Sequence, residues 1–225
     1  MPDNTPVTSG SNAGNGRTPA KTRFRDRGRF GQALVTTLVF LAVLWAVQVV
    51  NWASGNRLVS LGIHPLDFSR FWGILPAPFI HVDFPHLVAN TPAVAVLLFL
   101  VALSGQKAVW ASTAVTTVVA GLGVFFLGGE NTVHVGASIL IYGWAVFLAV
   151  RGFFTRRIAE ILLGLVVIVL YAGLFWGILP NQAGVSWQGH LFGGVGGAVT
   201  AWAAGRPAVK ERRRLGPSGT TPAVK

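Results

Sequence analysis

Four polar side chains stand inside otherwise apolar stretches of the sequence, and their types are those of a nucleophilic site. They are His86, Asn90, Ser138 and His190. A serine hydroxyl becomes an effective nucleophile when a base takes its proton, and a histidine that is neutral near pH 7 can be that base. His86 and Asn90 lie four residues apart, hence on one helical face, and both can donate hydrogen bonds to an oxyanion. The set therefore allows a Ser138–His190 pair with two oxyanion donors.

Each of these residues also has a structural interpretation. A serine in an apolar helix is often a packing residue or a partner for a neighbouring helix. His190 could hydrogen bond to a backbone carbonyl, and His86 and Asn90 could cap a helix and pack. Small residues favour the chemical interpretation. Gly136 forms a G-x-S pattern with Ser138. Small residues also recur at every fourth position around and after His190 and form one ridge that allows another helix to approach closely; they are Gly189, Gly193, Gly197, Ala201 and Gly205.

Spacing predicts how these segments meet. Gly136 and Gly143 are seven residues apart on one helical face and offer a matching surface for the ridge that begins at Gly189, beside His190. If the two helices pack there, Ser138 and His190 come within hydrogen-bond reach. Tyr142 lies one turn beyond Ser138 on the same face, so its ring would stack on the imidazole.

The elements that must position these residues are membrane-spanning helices. The chain has 225 residues, of which 52% are hydrophobic and 11% charged, whereas soluble domains are about 25% charged. A spanning helix needs about 20 mainly apolar residues. The sequence thus predicts an all-α, polytopic bundle with six spans at roughly 33–53, 86–104, 108–127, 136–152, 159–179 and 187–205.

Charge sets the expected orientation. The chain has 18 lysines and arginines. With six spans, all of them except Arg57 and Arg70 fall on the same side of the membrane as the two termini, so the positive-inside rule places both termini in the cytoplasm. We expect a disordered basic tail at 1–30, a six-span domain at 31–205 and a second basic tail at 206–225. Spans two, four and six then begin at the outer face, where the four polar residues would share one depth. The segment 54–85 would form an outer loop partly in the headgroup region.

Composition excludes several kinds of site. The chain has no cysteine, so it has no disulfide, zinc–thiolate site or cysteine nucleophile. Its net charge of +11 is explained by basic residues that flank apolar runs, and no nucleic-acid partner is predicted. No cofactor and no metal are predicted either. No A-x-A-like cleavage site follows the first apolar run, which is therefore predicted to be a retained span. We expect an integral protein of a bacterial plasma membrane.

Three motifs, in this order, make the chain resemble the rhomboid family of intramembrane serine proteases. They are His81-x4-His86-Leu87-x2-Asn90, then Gly136-Ala137-Ser138 with Tyr142 and Gly143, then Gly189-His190-x2-Gly193. The resemblance covers roughly 33–205. Ile139 stands where the family often has glycine, and Ser69 stands where a tryptophan would precede Arg70.

The resemblance implies the roles of the site residues. Ser138 would be the nucleophile and His190 the general base, while His86, Asn90 and the Ser138 backbone N–H would stabilise the oxyanion. Tyr142 would pack on His190. Since no acidic residue lies in the helices at this level, we expect a Ser–His dyad. Substrates would be single-span or polytopic membrane proteins, cut near the outer face of the bilayer.

Three other interpretations make different predictions. A catalytically inactive, rhomboid-like chaperone or binder of client helices would keep its function after Ser138→Ala. A transporter or channel would place its polar residues at the midplane rather than at one shallow depth. A metalloprotease using His81, His86 and His190 would be inhibited by a chelator, although the chain lacks an H-E-x-x-H motif.

Overall fold

The protein is an all-α bundle in a computed structural model that describes residues 20–180 and 184–215. Its six α-helices are α1 (Ala20–Ala53), α2 (Phe84–Leu103), α3 (Gln106–Leu127), α4 (Ser138–Thr155), α5 (Ile158–Leu170) and α6 (Trp187–Leu215). Short 3₁₀ helices lie at Arg57–Leu61, Phe68–Ile74, Ala77–Phe79 and Ala172–Ile178. No β-strand occurs in the described part of the chain, which confirms the predicted fold class at this level.

Judged by length and hydropathy, the described residues contain fewer membrane-spanning helices than the six predicted. Within the described residues four helical stretches are long and apolar enough to cross a bilayer: Gly28–Ala53, Phe84–Leu103, Gln106–Leu127 and Ser138–Thr155. A fifth is counted if α5 and the 3₁₀ helix Ala172–Ile178, which are bent by 64° to each other, form one broken span. α6 falls short because glycines, Gln188 and His190 replace larger apolar side chains in its first turns. The six-span topology therefore stays a prediction.

Two boundaries differ from those expected. α1 begins at Ala20 and α6 continues to Leu215, so both helices run about ten residues into the stretches assigned to tails. Helix in 20–30 agrees with lysine and arginine being good helix formers and with the low cost of extending a formed helix; the division of the chain into two tails and a six-span domain stays a prediction. Residues 1–19 and 216–225 lie outside the described part.

The small residues of α6 let it pack closely on α4 and α3, which are its most extensive neighbours. A Cβ added at Gly193 would lie 2.5 Å from the Ile139 carbonyl oxygen. One added at Gly197 would collide with the Gly143 carbonyl, and one at Gly143 with Thr116. The ridge predicted from the sequence thus lies where α6 meets the other two helices, and it brings the backbones of α4 and α6 into direct contact.

The segment between α1 and α2 exposes aromatic side chains. Phe68 is 71% and Trp72 50% exposed, and the interfacial location expected for such aromatics stays a prediction. Arg70 lies beside Asp67 at 3.6 Å and His64 at 3.2 Å. The hydrogen bond from the Ser69 hydroxyl, with help from Arg70, lowers the pKa of Asp67.

Candidate active site

Ser138 is the first residue of α4, and the turn before it fits only glycine. Gly136 has φ of +125°, and a Cβ at this position would lie 2.8 Å from His86 Cε1. The Gly136 N–H donates to the Ala77 carbonyl at 2.9 Å. Amides in the first turn of a helix have no intrahelical acceptor and carry the positive end of the helix dipole. The backbone N–H of Ser138 therefore belongs to a set of donors suited to an anionic oxygen.

His190 lies in the first turn of α6, and both of its ring nitrogens have partners. Nε2 is 2.9 Å from Ser138 Oγ, and Nδ1 is 2.8 Å from the Gly177 carbonyl oxygen. A carbonyl oxygen only accepts, so Nδ1 carries the proton and Nε2 accepts from the Ser138 hydroxyl. This is the tautomer that a general base for Ser138 needs. Sequence reasoning missed Gly177, because a backbone carbonyl leaves no mark in the residue type.

Tyr142 holds the imidazole from one face. The two rings are stacked, with centroids 4.1 Å apart and planes 10° from parallel. The Tyr142 hydroxyl donates to the Leu174 carbonyl at 2.7 Å. The 3₁₀ helix Ala172–Ile178 thus supplies a carbonyl to each of the two rings and orients both.

His86 and Asn90 face Ser138 across a cavity of about 520 Å³ that all four polar residues line. The start of α2 is capped by Asp83, whose carboxylate accepts from the His86 backbone N–H at 2.8 Å, so the His86 side chain is not needed as the cap. Asn90 Nδ2 is buried and has no hydrogen-bond partner among the described residues. A buried donor without a partner is costly, and one that lines this cavity is available to a substrate oxygen.

His81 supports the turn before Ser138. Its Nε2 accepts from the Ala137 N–H at 3.3 Å, and its ring lies edge-on to that of His86 with centroids 5.0 Å apart. The side chain is fully buried, and burial lowers its pKa to about 4. A neutral imidazole is what the acceptor role at Nε2 requires.

Gly189 and Gly193 let α6 approach the start of α4. A Cβ at Gly189 would lie 2.9 Å from Ile139 Cγ2, and one at Gly193 would press on the Ile139 backbone. Both glycines flank His190, so they set how closely the imidazole approaches Ser138.

A second histidine–serine contact was not expected from the sequence. His134 Nδ1 lies 2.8 Å from Ser186 Oγ, and its Nε2 lies 2.8 Å from Thr132 Oγ1. Through these two contacts His134 connects two loops. All three residues line the same cavity as Ser138.

Comparison with known proteins agrees with the fold and the motifs. The apolar helices define an integral membrane protein. The sequence model of the Rhomboid domain matches residues 69–207, and the chain belongs to the rhomboid family, which generally comprises intramembrane serine proteases.

Several relatives are mycobacterial. An uncharacterized protein of Mycobacterium tuberculosis is 41% identical over 208 residues, which cover 88% of this chain and 86% of the relative. An uncharacterized protein of Mycobacterium bovis matches to the same extent. One of Mycobacterium leprae is 38% identical over 201 residues, or 85% of this chain and 79% of the relative. No solved structure matches the sequence.

Proposed function

We propose that the protein is an intramembrane serine endopeptidase that cuts transmembrane segments of other membrane proteins by a Ser138–His190 dyad. The observation that carries the proposal is the 2.9 Å contact between Ser138 Oγ and His190 Nε2, with Nδ1 tied to a carbonyl. A nucleophile, a base in the right tautomer and a third group that orients the base are the parts of an activated serine.

The reaction follows from these positions. Ser138 Oγ attacks the scissile carbonyl carbon while His190 Nε2 takes the hydroxyl proton. The oxyanion accepts hydrogen bonds from His86, Asn90 and the Ser138 backbone N–H. When the C–N bond breaks, His190 gives its proton to the leaving amine, which leaves an ester on Ser138. Water then attacks this ester while His190 accepts the water proton; when the bond between the acyl carbon and Ser138 Oγ breaks, His190 returns this proton to Oγ, and the acid product leaves.

Hydrolysis inside a bilayer needs water, and the cavity supports its delivery. Its lining includes hydroxyl, imidazole and amide groups from Thr132, His134, Ser186 and Asn90. With both termini in the cytoplasm of a bacterial cell, as the charge distribution favours, the cavity would face outward. Single-span or polytopic substrates would then be cut near the outer ends of their helices, where glycine and other helix-weakening residues lower the cost of unwinding.

The experiment compares wild type with Ser138→Ala and His190→Ala, each purified in detergent with a single-span substrate whose outer end is weakened by glycine. Ser112→Ala is the matched control, since Ser112 is buried in α3 and donates to the Val109 carbonyl at 3.2 Å. Wild type and the control should cut, and both dyad variants should be silent. Equal cutting by all four proteins would refute the dyad.

A serine-directed phosphonate separates an enzyme from an inactive relative without needing the right substrate. The proposal predicts adducts on Ser138, located by mass spectrometry, that are lost in His190→Ala. A protein that never reacts and whose cellular role survives Ser138→Ala would be a chaperone or binder of client helices. Inhibition by a chelator with retained activity in Ser138→Ala would indicate the metalloprotease.

A further inference from the structure

Two hydrogen-bonded pairs connect the same two segments of the chain. Ser138 pairs with His190 at 2.9 Å, and His134 pairs with Ser186 at 2.8 Å. His134 lies four residues before Ser138, and Ser186 lies four residues before His190. Each segment thus contributes one serine and one histidine, with their order reversed, and the second pair forms an outer rung beside the dyad.

The hydrogen-bond directions in the outer rung are determined by its neighbours. The Thr132 hydroxyl donates to the Gly129 carbonyl, so Thr132 Oγ1 accepts from His134 Nε2–H. His134 Nδ1 then has a free lone pair and accepts from the Ser186 hydroxyl. This requires a neutral His134, and burial lowers the pKa of its imidazole accordingly.

One end of the rung is held firmly. The backbone of His134 exchanges two hydrogen bonds with Ile63, each of 3.0 Å. A Cβ at Gly128 would lie 2.5 Å from Pro65 Cγ and 3.2 Å from His134 Nε2, so the imidazole is closely packed from that side. His134 is therefore a fixed point on the loop that leads to Ser138.

The other end is coupled directly to the base. Ser186 immediately precedes α6, and its carbonyl accepts from the backbone N–H of His190 at 3.1 Å. A serine at this place commonly turns its hydroxyl onto the first turn of its own helix, but here Oγ lies 2.8 Å from His134. Any movement of Ser186 is passed to His190 through this backbone hydrogen bond.

We propose that His134 and Ser186 are positioning residues that set the spacing between the starts of α4 and α6 and thereby hold Ser138 and His190 within hydrogen-bond distance. The inference rests on the proposed proteolytic function. Neither residue touches the reacting atoms in this role. Because a misplacement of about 1 Å can cost about 100-fold in rate, loss of the rung lowers kcat and leaves KM nearly unchanged.

The test uses a rescue and a matched control. His134→Leu removes the acceptor for Ser186, and kcat should fall about tenfold or more. His134→Asn places an amide oxygen near the position of Nδ1 and should recover most of that loss. His64→Leu makes the same substitution at a half-buried histidine between α1 and α2, whose Nε2 contacts the Ser60 carbonyl and Arg70 and which does not line the cavity, and this variant should cut like wild type.

A double-mutant cycle tests the pairing itself. Ser186→Ala should lower kcat as His134→Leu does, and the double variant should be no slower than either single variant, because both remove one interaction. Independent, additive losses would overturn the rung, as would a His134→Asn variant that is as slow as His134→Leu while folding equally well.

Failure of the rung can be told from failure of the proposed function. If wild type neither cuts nor reacts with the phosphonate, the protease proposal fails and the rung is judged by hydrogen exchange at the His190 amide. Faster exchange in His134→Leu and Ser186→Ala than in wild type and His134→Asn supports the rung. Equal exchange in all four proteins overturns it.

Discussion

Replacing Gly193 by alanine should push α6 away from α4 at the level of the dyad. The new Cβ would lie 2.5 Å from the Ile139 carbonyl oxygen, whereas ordinary van der Waals contact begins at 3.4 Å. The new Cβ is fixed to the backbone of α6 and the oxygen belongs to the backbone of α4, so no side chain can rotate out of the way, and the helices must separate by about 0.9 Å. Ile139 follows Ser138 directly, and Gly193 lies one turn after His190, so the separation acts on the dyad itself.

Separation of the two helices would lengthen the hydrogen bond between Ser138 and His190. If the shift lies along the Ser138–His190 contact, their separation rises from 2.9 Å to about 3.8 Å, beyond hydrogen-bond reach. A misplacement of this size costs on the order of 100-fold in kcat. The change in stability is smaller, because about 1–3 kcal/mol of overpacking is partly offset by about 1 kcal/mol from replacing glycine with alanine in a helix.

Gly194→Ala is the matched control. It makes the same substitution one residue further on, where the new Cβ meets only Val146 Cγ2 at 3.3 Å, an atom at the end of a side chain that can adjust. This variant should be as active as wild type and up to about 1 kcal/mol more stable.

Rates of substrate cleavage and of Ser138 labelling by a phosphonate measure the effect with and without a substrate, and thermal unfolding checks the fold. Gly193→Ala and Gly194→Ala proteins with cleavage rates within a factor of two of each other would refute the claim that Gly193 sets the dyad distance.

Three further predictions concern the surroundings of the dyad. His86→Ala and Asn90→Ala should each lower kcat about 100- to 1,000-fold by removing an oxyanion donor, measured as initial cleavage rates; unchanged rates would show that these donors do not meet the oxyanion. Tyr142→Phe keeps the stacked ring and loses one hydrogen bond worth about 1 kcal/mol, so its rate should stay within about tenfold of wild type, whereas Tyr142→Ala should be much slower; the reverse order would place the effect in the hydroxyl. Burial lowers the pKa of His81 from its ordinary value of 6.5 to about 4 in the folded protein. Its contribution to the free energy of unfolding is therefore complete above pH 6.5 and is lost as the pH falls toward 4, by about 2 kcal/mol at pH 5. The drop in Tm between pH 7.5 and pH 5 should be smaller for His81→Gln than for wild type, and an equal drop would contradict this.

Local features of the sequence predicted much of the site. Apolar stretches marked the helices, because a spanning segment must be apolar along its whole length. Ser138 and Tyr142 could be placed on one face, and the ridge that includes Gly193 could be recognised, because helical periodicity is a property of the segment itself. The boundary of α4 was expected at 136 and lies at Ser138, since the positive φ of Gly136 ends the loop there.

Other features depend on how distant segments meet. α6 is too poor in large apolar residues to be counted as a span by hydropathy, yet Gly193 and Gly197 bring it against α4. The bend between α5 and Ala172–Ile178 places the carbonyls of Leu174 and Gly177 on the two stacked rings.

Composition and periodicity are local properties, so they were enough to predict that the chain is helical and apolar and that Ser138, His86, His190 and Asn90 belong to its helices. Which atoms face one another depends on how the helices pack. Ser138 meets His190, and His134 meets Ser186, across 52 residues in each case, and the orientation of the His190 imidazole depends on a backbone carbonyl at Gly177. The glycine spacing predicted the Ser138–His190 contact on the condition that α4 and α6 pack together, whereas the contacts of His134 and of the Gly177 carbonyl arise from the packing of whole helices and follow from no residue type or short-range pattern.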